Sequence, residues 1–166
     1  MKKSIAFASI VVLSGCLQNT VEMTNAFNPN AGTYILANGT ASINGQGFMR
    51  QAGGGVVTCA GENVELVPAT AYQEERIKII YGSTSGGSRT SGIGDVPPPI
   101  AAGAERLKRT TQCDAAGNFE FNGLAAGDYY VHTEVRWIAG QYSPQGGVLA
   151  KRIKITNGQR AKIILN

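Results

Sequence analysis

The sequence predicts an all-β fold: an antiparallel Greek-key-type β-sandwich of about seven strands, with one short helix and one long Gly/Ser/Pro loop. Runs rich in β-branched and aromatic residues are separated by turn residues at short intervals, which is typical of sandwiches. Only one segment shows a helical period. Glycine supplies 22 of the 166 residues and marks turns rather than a repeat.

Strands are predicted where apolar and polar residues alternate, because successive side chains of a strand point to opposite faces. The first of these segments also carries small residues that allow close packing. The turns at 60–63 and Asn157-Gly158 are predicted to close hairpins, and 140–147 is predicted to be a loop. The predicted strands are 40–49, 56–57, 64–67, 106–112, 118–121, 129–137, 148–155 and 160–165.

The single helix is predicted near Ala71–Tyr81. Thr70 is followed three residues later by Gln73, which is a capping-box pattern, and acidic residues occupy the first turn. The segment that follows, 82–103, is dense in Gly, Ser and Pro and has no period. Loops of this length are uncommon in compact domains. It is therefore predicted to be an insertion, which is either a binding loop or a mobile segment at the edge of the domain.

The N-terminus has the layout of an export signal. Lys2 and Lys3 precede an apolar run at 5–13, which is too short to cross a bilayer because a spanning helix needs about 20 residues. The sequence Leu-Ser-Gly-Cys that ends at Cys16 resembles the bacterial lipobox, which implies that Cys16 is the lipid-modified first residue of the mature protein. The alternatives are a plain secretory signal cleaved further on, or a short membrane-associated helix.

Three segments follow from this interpretation: a lipoprotein signal peptide at 1–15, an Asn/Thr/Ala-rich tether at 16–39, and a sandwich domain at 40–166. Several acyl chains on one cysteine would hold the protein on a membrane nearly permanently. Leu17 stands where inner-membrane lipoproteins tend to have Asp. This resemblance implies the outer membrane of a Gram-negative bacterium, with the domain in the periplasm or at the cell surface.

The charge of the chain gives no reason to expect a nucleic-acid partner. Lys2 and Lys3 supply two of the 15 basic side chains, so the chain from Cys16 onward carries 13 basic against 11 acidic side chains. The densest basic run, at 151–154, alternates along a predicted strand. Nucleic-acid binding requires a clustered basic face.

Cys59 and Cys113 are predicted to form a disulfide, because paired thiols of exported proteins are usually oxidised. Such a bridge would stabilise the fold by about 4 kcal/mol in the chain-entropy model. The alternative is a catalytic or metal-binding thiol pair, but the two cysteines lack a CxxC spacing and have no histidine nearby.

A regular series of acidic, glycine, aromatic and aliphatic residues occupies the stretch 113–135. The acidic residue and the glycines are predicted to turn the chain, and the aromatic residues two apart are predicted to point into a core. The pattern is D-x-x-G-x-F-x-F-x-x-L-x-x-G-x-Y-x-V, formed by Asp114, Gly117, Phe119, Phe121, Leu124, Gly127, Tyr129 and Val131.

This series resembles the carboxypeptidase-regulatory-like, prealbumin-type β-sandwich, also described as transthyretin-like. Weaker agreement extends from about Ala41 to the end of the chain. The resemblance implies a module that accompanies a zinc enzyme in carboxypeptidases without binding zinc itself. The predicted helix, the 82–103 loop and the cysteine pair depart from the family pattern.

No metal, cofactor or catalytic residue is predicted. His132 is the only histidine of the chain, whereas zinc sites take three or four ligands. With Glu134 it is expected to form a solvated pair on one strand face. Asp114 is the only acid of its loop, and calcium needs six to eight oxygen ligands. Serine and cysteine nucleophiles lack a suitably placed base.

The leading hypothesis is therefore a non-enzymatic, lipid-anchored envelope protein with a structural or protein-interaction role. One alternative is a carbohydrate- or peptide-binding module that uses Tyr81, Trp137 or Tyr142. Trp137, however, falls on the apolar face of its strand, where filling the core is the commoner use. Another alternative is an accessory subunit of an envelope complex that pairs through a free sheet edge. The partner is thus expected to be an envelope protein or a glycan.

Overall fold

The computed structural model of the protein describes residues 19–166. These residues form nine strands and one α-helix, so the predicted all-β sandwich is confirmed with nine strands rather than about seven. The strands are β1 Asn38–Arg50, β2 Val56–Thr58, β3 Asn63–Pro68, β4 Gly86–Thr90, β5 Arg109–Gln112, β6 Asn118–Leu124, β7 Gly127–Ala139, β8 Ser143–Ile155 and β9 Arg160–Leu165.

The strands are divided between two sheets. In the four-stranded sheet, β1 is central and pairs antiparallel with β2 and β6 and parallel with β9. The five-stranded sheet has the order β4-β8-β7-β3-β5, and its neighbouring strands are antiparallel. The longest pairing joins β7 to β8, and the loop between them is only 140–142. The predicted loop at 140–147 is thus mostly strand.

The main hydrophobic core lies between the sheets because alternate residues of each strand point inward. Ile43 and Phe121 come from the four-stranded sheet, while Leu66, Val131 and Leu149 come from the five-stranded sheet. Burial of such a side chain contributes roughly 1.5–3 kcal/mol. The alternation visible in the sequence is therefore what places the two sheets face to face.

The helix α1 spans Ala71–Tyr81, as the sequence predicts. The Thr70 hydroxyl accepts a hydrogen bond from the Gln73 amide at 3.4 Å, and Gly82 ends the helix in the left-handed conformation. The helix covers the outer face of the five-stranded sheet and forms a second, smaller core there. That core contains Val67, Ile77, Tyr130 and Ala150.

Both hairpin predictions are wrong. The turn at 60–63 joins β2 of one sheet to β3 of the other, and Asn157-Gly158 joins β8 to β9, which also lie in different sheets. Gly158 does adopt the left-handed conformation, with φ 71°. A local sequence can specify a tight turn, but which strands then pair depends on the faces that they bury against distant parts of the chain.

The segment 82–103 is not a continuous loop. Its residues Gly86–Thr90 form the edge strand β4, which pairs with β8 along Gly147–Lys151. A side chain at Gly86 would place a Cβ 2.3 Å from the carbonyl oxygen of Ala150. Glycine permits this close approach of two backbones, and for the same reason it leaves no pattern of side chains from which a strand could be predicted.

The described part of the predicted tether packs against the domain. Glu75 of α1 accepts hydrogen bonds from the backbone amides of Thr24 and Asn25 at 2.8 and 2.7 Å, and from their side chains at 2.9 Å each. Phe27 lies edge-to-face against Tyr72 at 5.5 Å. Residues 24–27 are therefore held along the helix, and residues 19–21 pair instead with Val96. Cys16, the predicted lipidation site, lies outside the described residues.

The predicted Cys59–Cys113 disulfide is confirmed, with the two Cα atoms 5.8 Å apart. Cys59 follows β2 in one sheet and Cys113 follows β5 in the other, so the bridge ties the two sheets together at their edges. Both residues are buried. Within residues 19–166, no helix combines the length and the apolar character that a membrane-spanning helix requires.

Candidate functional site

The aromatic and aliphatic residues of the 113–135 series lie in the protein core. Phe119 and Phe121 are buried and meet edge-to-face with ring centroids 6.2 Å apart. Leu124, Tyr129 and Val131 are also buried. The Tyr129 hydroxyl donates to the Ala125 carbonyl at 2.9 Å, and burial raises the pKa of Tyr129 to about 12. These side chains are committed to packing and are not available to a ligand.

Asp114 and Gly117 form the turn before β6. The Asp114 carboxylate accepts hydrogen bonds from the amides of Ala116 and Asn118 at 2.9 and 2.8 Å, and from the Asn118 side chain at 3.0 Å. These bonds, the Asn118 side chain first, lower the pKa of Asp114. Gly117 has φ 79°, a conformation that favours glycine. The carboxylate thus stabilises a turn.

Gly127 has a different role from the one predicted. It is not in the left-handed conformation that a turn would require. Instead, a Cβ at this position would lie 2.4 Å from Cε2 of Tyr34. Gly127 therefore makes room for the Tyr34 ring, which packs edge-to-face against Tyr129 at 5.2 Å.

His132 does not form the predicted solvated pair with Glu134. Its Nε2 lies 3.5 Å from Oε2 of Glu65 on the neighbouring strand β3, and its side chain is only 33% exposed. Lys108 completes this group by binding Glu65 at 2.8 Å. Burial lowers the pKa of His132, and the Glu65 charge opposes that shift. We call these residues the His132 cluster.

Helix α1 and the proline-rich segment flank the His132 cluster. The Arg76 guanidinium donates to the Pro98 carbonyl at 2.6 Å, and the Ala101 amide donates to the Tyr72 hydroxyl at 2.8 Å. His132 lines two spaces: a small cavity of about 100 Å³ beside the helix, and an open surface cleft of about 790 Å³ that also reaches Glu134 and Arg136. Among residues 19–166 there is no group of three or more His, Cys, Asp or Glu side chains placed to hold a metal ion.

A larger cleft lies where β7 and β8 approach their connecting loop. Its volume is about 930 Å³, and it combines an aromatic ring with several polar side chains. The chain brings these residues together from β1, from the end of β4 and from both strands of the β7–β8 hairpin. We call it the hairpin cleft; its principal lining residues are Arg50, Ser91, Glu134, Arg136, Trp137 and Gln145.

The pairing of β7 with β8 positions the aromatic side of the cleft. Trp137 and Gln145 are directly opposite each other in the register, and the indole Nε1–H donates to Gln145 Oε1 at 3.2 Å. Trp137 is half-buried and packs against the main core. The indole is therefore held in one orientation near the loop end of the β7–β8 hairpin, as expected for a preformed binding surface.

The charged side of the cleft is an ion pair. Glu134 accepts a hydrogen bond from Arg136 Nη2 and another from the Ser91 hydroxyl at 3.2 Å. The Arg136 interaction is the main reason why the pKa of Glu134 is lowered. Glu134 is thus ionised at neutral pH. This arrangement offers hydrogen-bond donors and acceptors rather than a proton-transfer group.

The three aromatic residues predicted as ligand contacts have different environments. Trp137 lines the hairpin cleft. Tyr142 lies in the connecting loop and is 90% exposed. Tyr81 packs against the helix–sheet core, and burial raises its pKa. Sequence reasoning missed Ser91 and Gln145, because each falls in a segment predicted to be a loop and only the strand pairing brings it to Trp137.

The fold and the cleft define a two-sheet β-sandwich with a preformed polar and aromatic cleft at one end. No family model matches the chain, and no curated protein sequence matches it. The chain is similar in structure to a "putative carbohydrate binding protein" from Pseudomonas aeruginosa, with a TM-score of 0.73 and 23% sequence identity. The match covers 85% of this chain and 97% of that chain.

At this level of identity the likeness establishes a shared fold. The resemblance to carboxypeptidase-regulatory-like domains stays a prediction, as does the lipoprotein signal.

Proposed function

We propose that this protein is a non-enzymatic, lipid-anchored envelope protein and that its hairpin cleft binds carbohydrate. The observation that carries the proposal is the Trp137 indole, fixed by Gln145 beside the Glu134–Arg136 ion pair. An aromatic ring offers a flat apolar surface to the C–H face of a sugar. The carboxylate, guanidinium and amide groups around it match the donors and acceptors of sugar hydroxyls.

The charge state of the cleft supports binding rather than hydrolysis. Glycosidases generally use two carboxyl groups about 5–9.5 Å apart, one of which has a raised pKa so that it can act as an acid. The described lining of the hairpin cleft contains one carboxylate, Glu134, and the pKa of that group is lowered. His132 does not line the hairpin cleft; it pairs with Glu65 in a neighbouring open cleft that also reaches Glu134 and Arg136.

Two further observations support the proposal. The structurally similar protein from Pseudomonas aeruginosa bears a name that refers to carbohydrate binding. The signal-like N-terminus with Cys16 and the Cys59–Cys113 disulfide both favour an exported protein. We propose the outer membrane as its location, since Leu17 follows the lipidated cysteine.

A glycan array probed with the purified mature protein, followed by calorimetric titration of the glycans that bind, tests the proposal. We expect Trp137→Ala and Gln145→Ala to weaken binding at least tenfold, because they remove the stacking surface and its anchor. Gln46→Ala is the matched control: Gln46 lies on β1 of the four-stranded sheet and donates to the Ala116 carbonyl in the turn before β6, and its loss should leave affinity unchanged.

The carbohydrate assignment would be wrong if no glycan on the array were bound and an envelope protein co-purified with the lipidated chain from detergent extracts. It would favour instead the structural or protein-interaction role.

A further inference from the structure

The open cleft of about 790 Å³ beside His132 is a second candidate binding site. It is bounded by the outer face of the five-stranded sheet, by the end of α1 and by the proline-rich residues 96–100. We call it the proline cleft. Glu134 and Arg136 line both this cleft and the hairpin cleft, whereas Arg89 lines the proline cleft and not the hairpin cleft.

The strand register places Arg89 in the proline cleft. Arg89 of β4 pairs with Val148 of β8, and Val148 pairs with Glu134 of β7. Because directly opposite residues of neighbouring strands share one face of a sheet, these three side chains form a row across the outer face. Gly87 lies on the same face of β4, and a Cβ added there would lie 3.8 Å from the Cβ of Tyr81. Tyr81 of α1 therefore packs over β4 next to Arg89.

One edge of the Arg89 guanidinium has no hydrogen-bond partner among residues 19–166. Its Nη1 donates to the Asp95 carbonyl, which leaves the edge formed by Nε and Nη2. The Nε–H is shielded from solvent and finds no acceptor in the described part of the chain. A buried donor without an acceptor carries a free-energy cost, which an acceptor supplied by a ligand would remove. The two parallel N–H groups of this edge match the two oxygens of a carboxylate.

The charges of the proline cleft favour an anionic ligand. Each acidic residue that lines the cleft has a basic partner: the pairs are Glu62–Arg136, Glu65–Lys108 and Glu134–Arg136. By contrast, no carboxylate of residues 19–166 forms an ion pair with Arg76 or Arg89; Arg76 donates instead to the Pro98 carbonyl at 2.6 Å. These two arginines therefore contribute positive charge that is not neutralised locally and that should attract an anion.

The proline cleft also offers a hydroxyl donor and apolar walls. Burial raises the pKa of Tyr81, and the nearby charge of Arg89 opposes that rise. The Tyr81 hydroxyl is therefore protonated at neutral pH and can donate to an anion that Arg89 binds. Ile80, Val148 and the proline rings of 97–99 supply apolar surface in the same cleft. A ligand that fits this lining combines an anionic group with an apolar body.

We propose that the proline cleft binds a small molecule that carries one carboxylate on an apolar body. The carboxylate accepts hydrogen bonds from the free edge of Arg89 and from the Tyr81 hydroxyl, and the body packs against Val148. A single negative charge is favoured over a doubly charged phosphate ester, because the Glu134 carboxylate lies in the same cleft. The inference goes beyond the proposed function and requires neither the lipid anchor nor carbohydrate binding, although Glu134 and Arg136 line both clefts.

The test is an NMR titration of the purified mature protein with benzoate, phenylacetate and 3-phenylpropionate. Each acid is compared with its neutral amide, which has the same apolar body and no charge. We expect at least one acid to shift the Nε–H resonance of Arg89 saturably. The corresponding amide should bind roughly tenfold more weakly or not at all, because hydrogen bonds between ionised groups are the stronger ones.

Two variants locate the bound acid, and one serves as the control. Arg89→Gln should weaken binding roughly tenfold or more, and Tyr81→Phe, which keeps the ring over Gly87, should weaken it about threefold. Arg160→Gln is the matched control, because it removes one positive charge from an exposed residue of β9 on the other sheet. The melting temperature of each variant is measured alongside. If Arg89→Gln proves unstable, Tyr81→Phe decides the question.

Gln145→Ala separates this site from the hairpin cleft, since it should weaken carbohydrate binding and leave the affinity for the acid unchanged. Failure of all three acids to bind would overturn the proposal and leave the carbohydrate assignment standing. Equal binding of an acid and its amide, or tighter binding of phenyl phosphate, would overturn the carboxylate as the ligand class. An affinity that Arg89→Gln and Tyr81→Phe leave unchanged, or that Arg160→Gln lowers equally, would also overturn the proposal.

Discussion

Gly45 lies directly beneath the ring of Phe119, its partner across the β1–β6 pair. A Cβ built at position 45 would stand 2.1 Å from Cζ of Phe119, far inside van der Waals contact. The small residues of β1 and the aromatic residues of β6 are therefore two halves of one packing arrangement. The Phe119 ring packs over the backbone of Gly45, which has no side chain to cover it.

Gly45→Ala is expected to destabilise the protein by about 1–3 kcal/mol, because the added methyl group forces Phe119 away from its position in a dense core. Urea unfolding of the wild type and the variant measures the difference. Gly53→Ala is the control, since a Cβ there meets no atom within 4 Å. A stability of Gly45→Ala equal to that of the wild type would contradict the packing described here.

Removal of the disulfide should cost about 4 kcal/mol, the chain-entropy value for a bridge between residues 54 apart. The variant Cys59→Ser, Cys113→Ser leaves two small polar groups in buried positions, which adds to the loss. Denaturant unfolding of the variant and of the wild type, with intact mass confirming the oxidised state of the latter, is the measurement. Identical unfolding midpoints would show that the two sheets are held together without the bridge.

The clamp between Glu75 and the 24–25 segment should respond to acid. Its four hydrogen bonds, the Thr24 amide first, lower the pKa of Glu75 from 4.5 to about 2. The folded-state pKa of Glu75 lies below the unfolded value. The hydrogen bonds to Glu75 therefore stabilise the folded state fully above pH 4.5, and this stabilisation is lost as the pH falls toward 2. The amide resonances of Thr24 and Asn25 should therefore titrate with a midpoint near 2.

Glu75→Gln is the informative variant for this clamp, because it keeps the shape of the side chain and removes its charge. Its Thr24 and Asn25 amides should exchange faster with solvent than those of the wild type at neutral pH. A titration midpoint near 4.5 in the wild type would mean that the segment is not held by this carboxylate.

His132 should titrate below its ordinary pKa of 6.5, since burial disfavours the imidazolium more than Glu65 favours it. The unfolded chain then binds more protons in this range, so stability is highest above pH 6.5 and falls as the pH drops through the folded-state pKa. A proton NMR titration of the single imidazole gives the midpoint directly. A midpoint above 6.5 would show that the charges of Glu65 and Glu105 outweigh burial.

Much of the fold could be predicted because its signals are local. The Thr70 cap, the acidic first turn and Gly82 define the helix within a dozen residues. Alternation along β7 likewise places Val131 and Val135 in the core. Strand pairing could not be predicted, because it is decided by faces buried against distant segments. The edge strand β4 escaped prediction since glycine and serine carry no alternation.

The candidate site was less accessible to sequence reasoning. Trp137 could be chosen as a candidate from its residue type alone. Gln145 and Ser91 could not, because only the β7–β8 register and the edge position of β4 bring them to the same cleft. His132 was placed on the correct face of β7, yet its partner proved to be Glu65 of an adjacent strand rather than Glu134.

Carbohydrate binding in the hairpin cleft is tested most directly by the indole N–H resonance of Trp137 in a two-dimensional NMR titration of the mature protein with oligosaccharides chosen from the glycan array. Binding should shift this resonance saturably, together with the amides of Glu134 and Gln145, and Gln145→Ala should abolish the response. Saturable shifts confined to the His132 cluster, or an indole resonance unmoved at saturating ligand, would contradict the assignment.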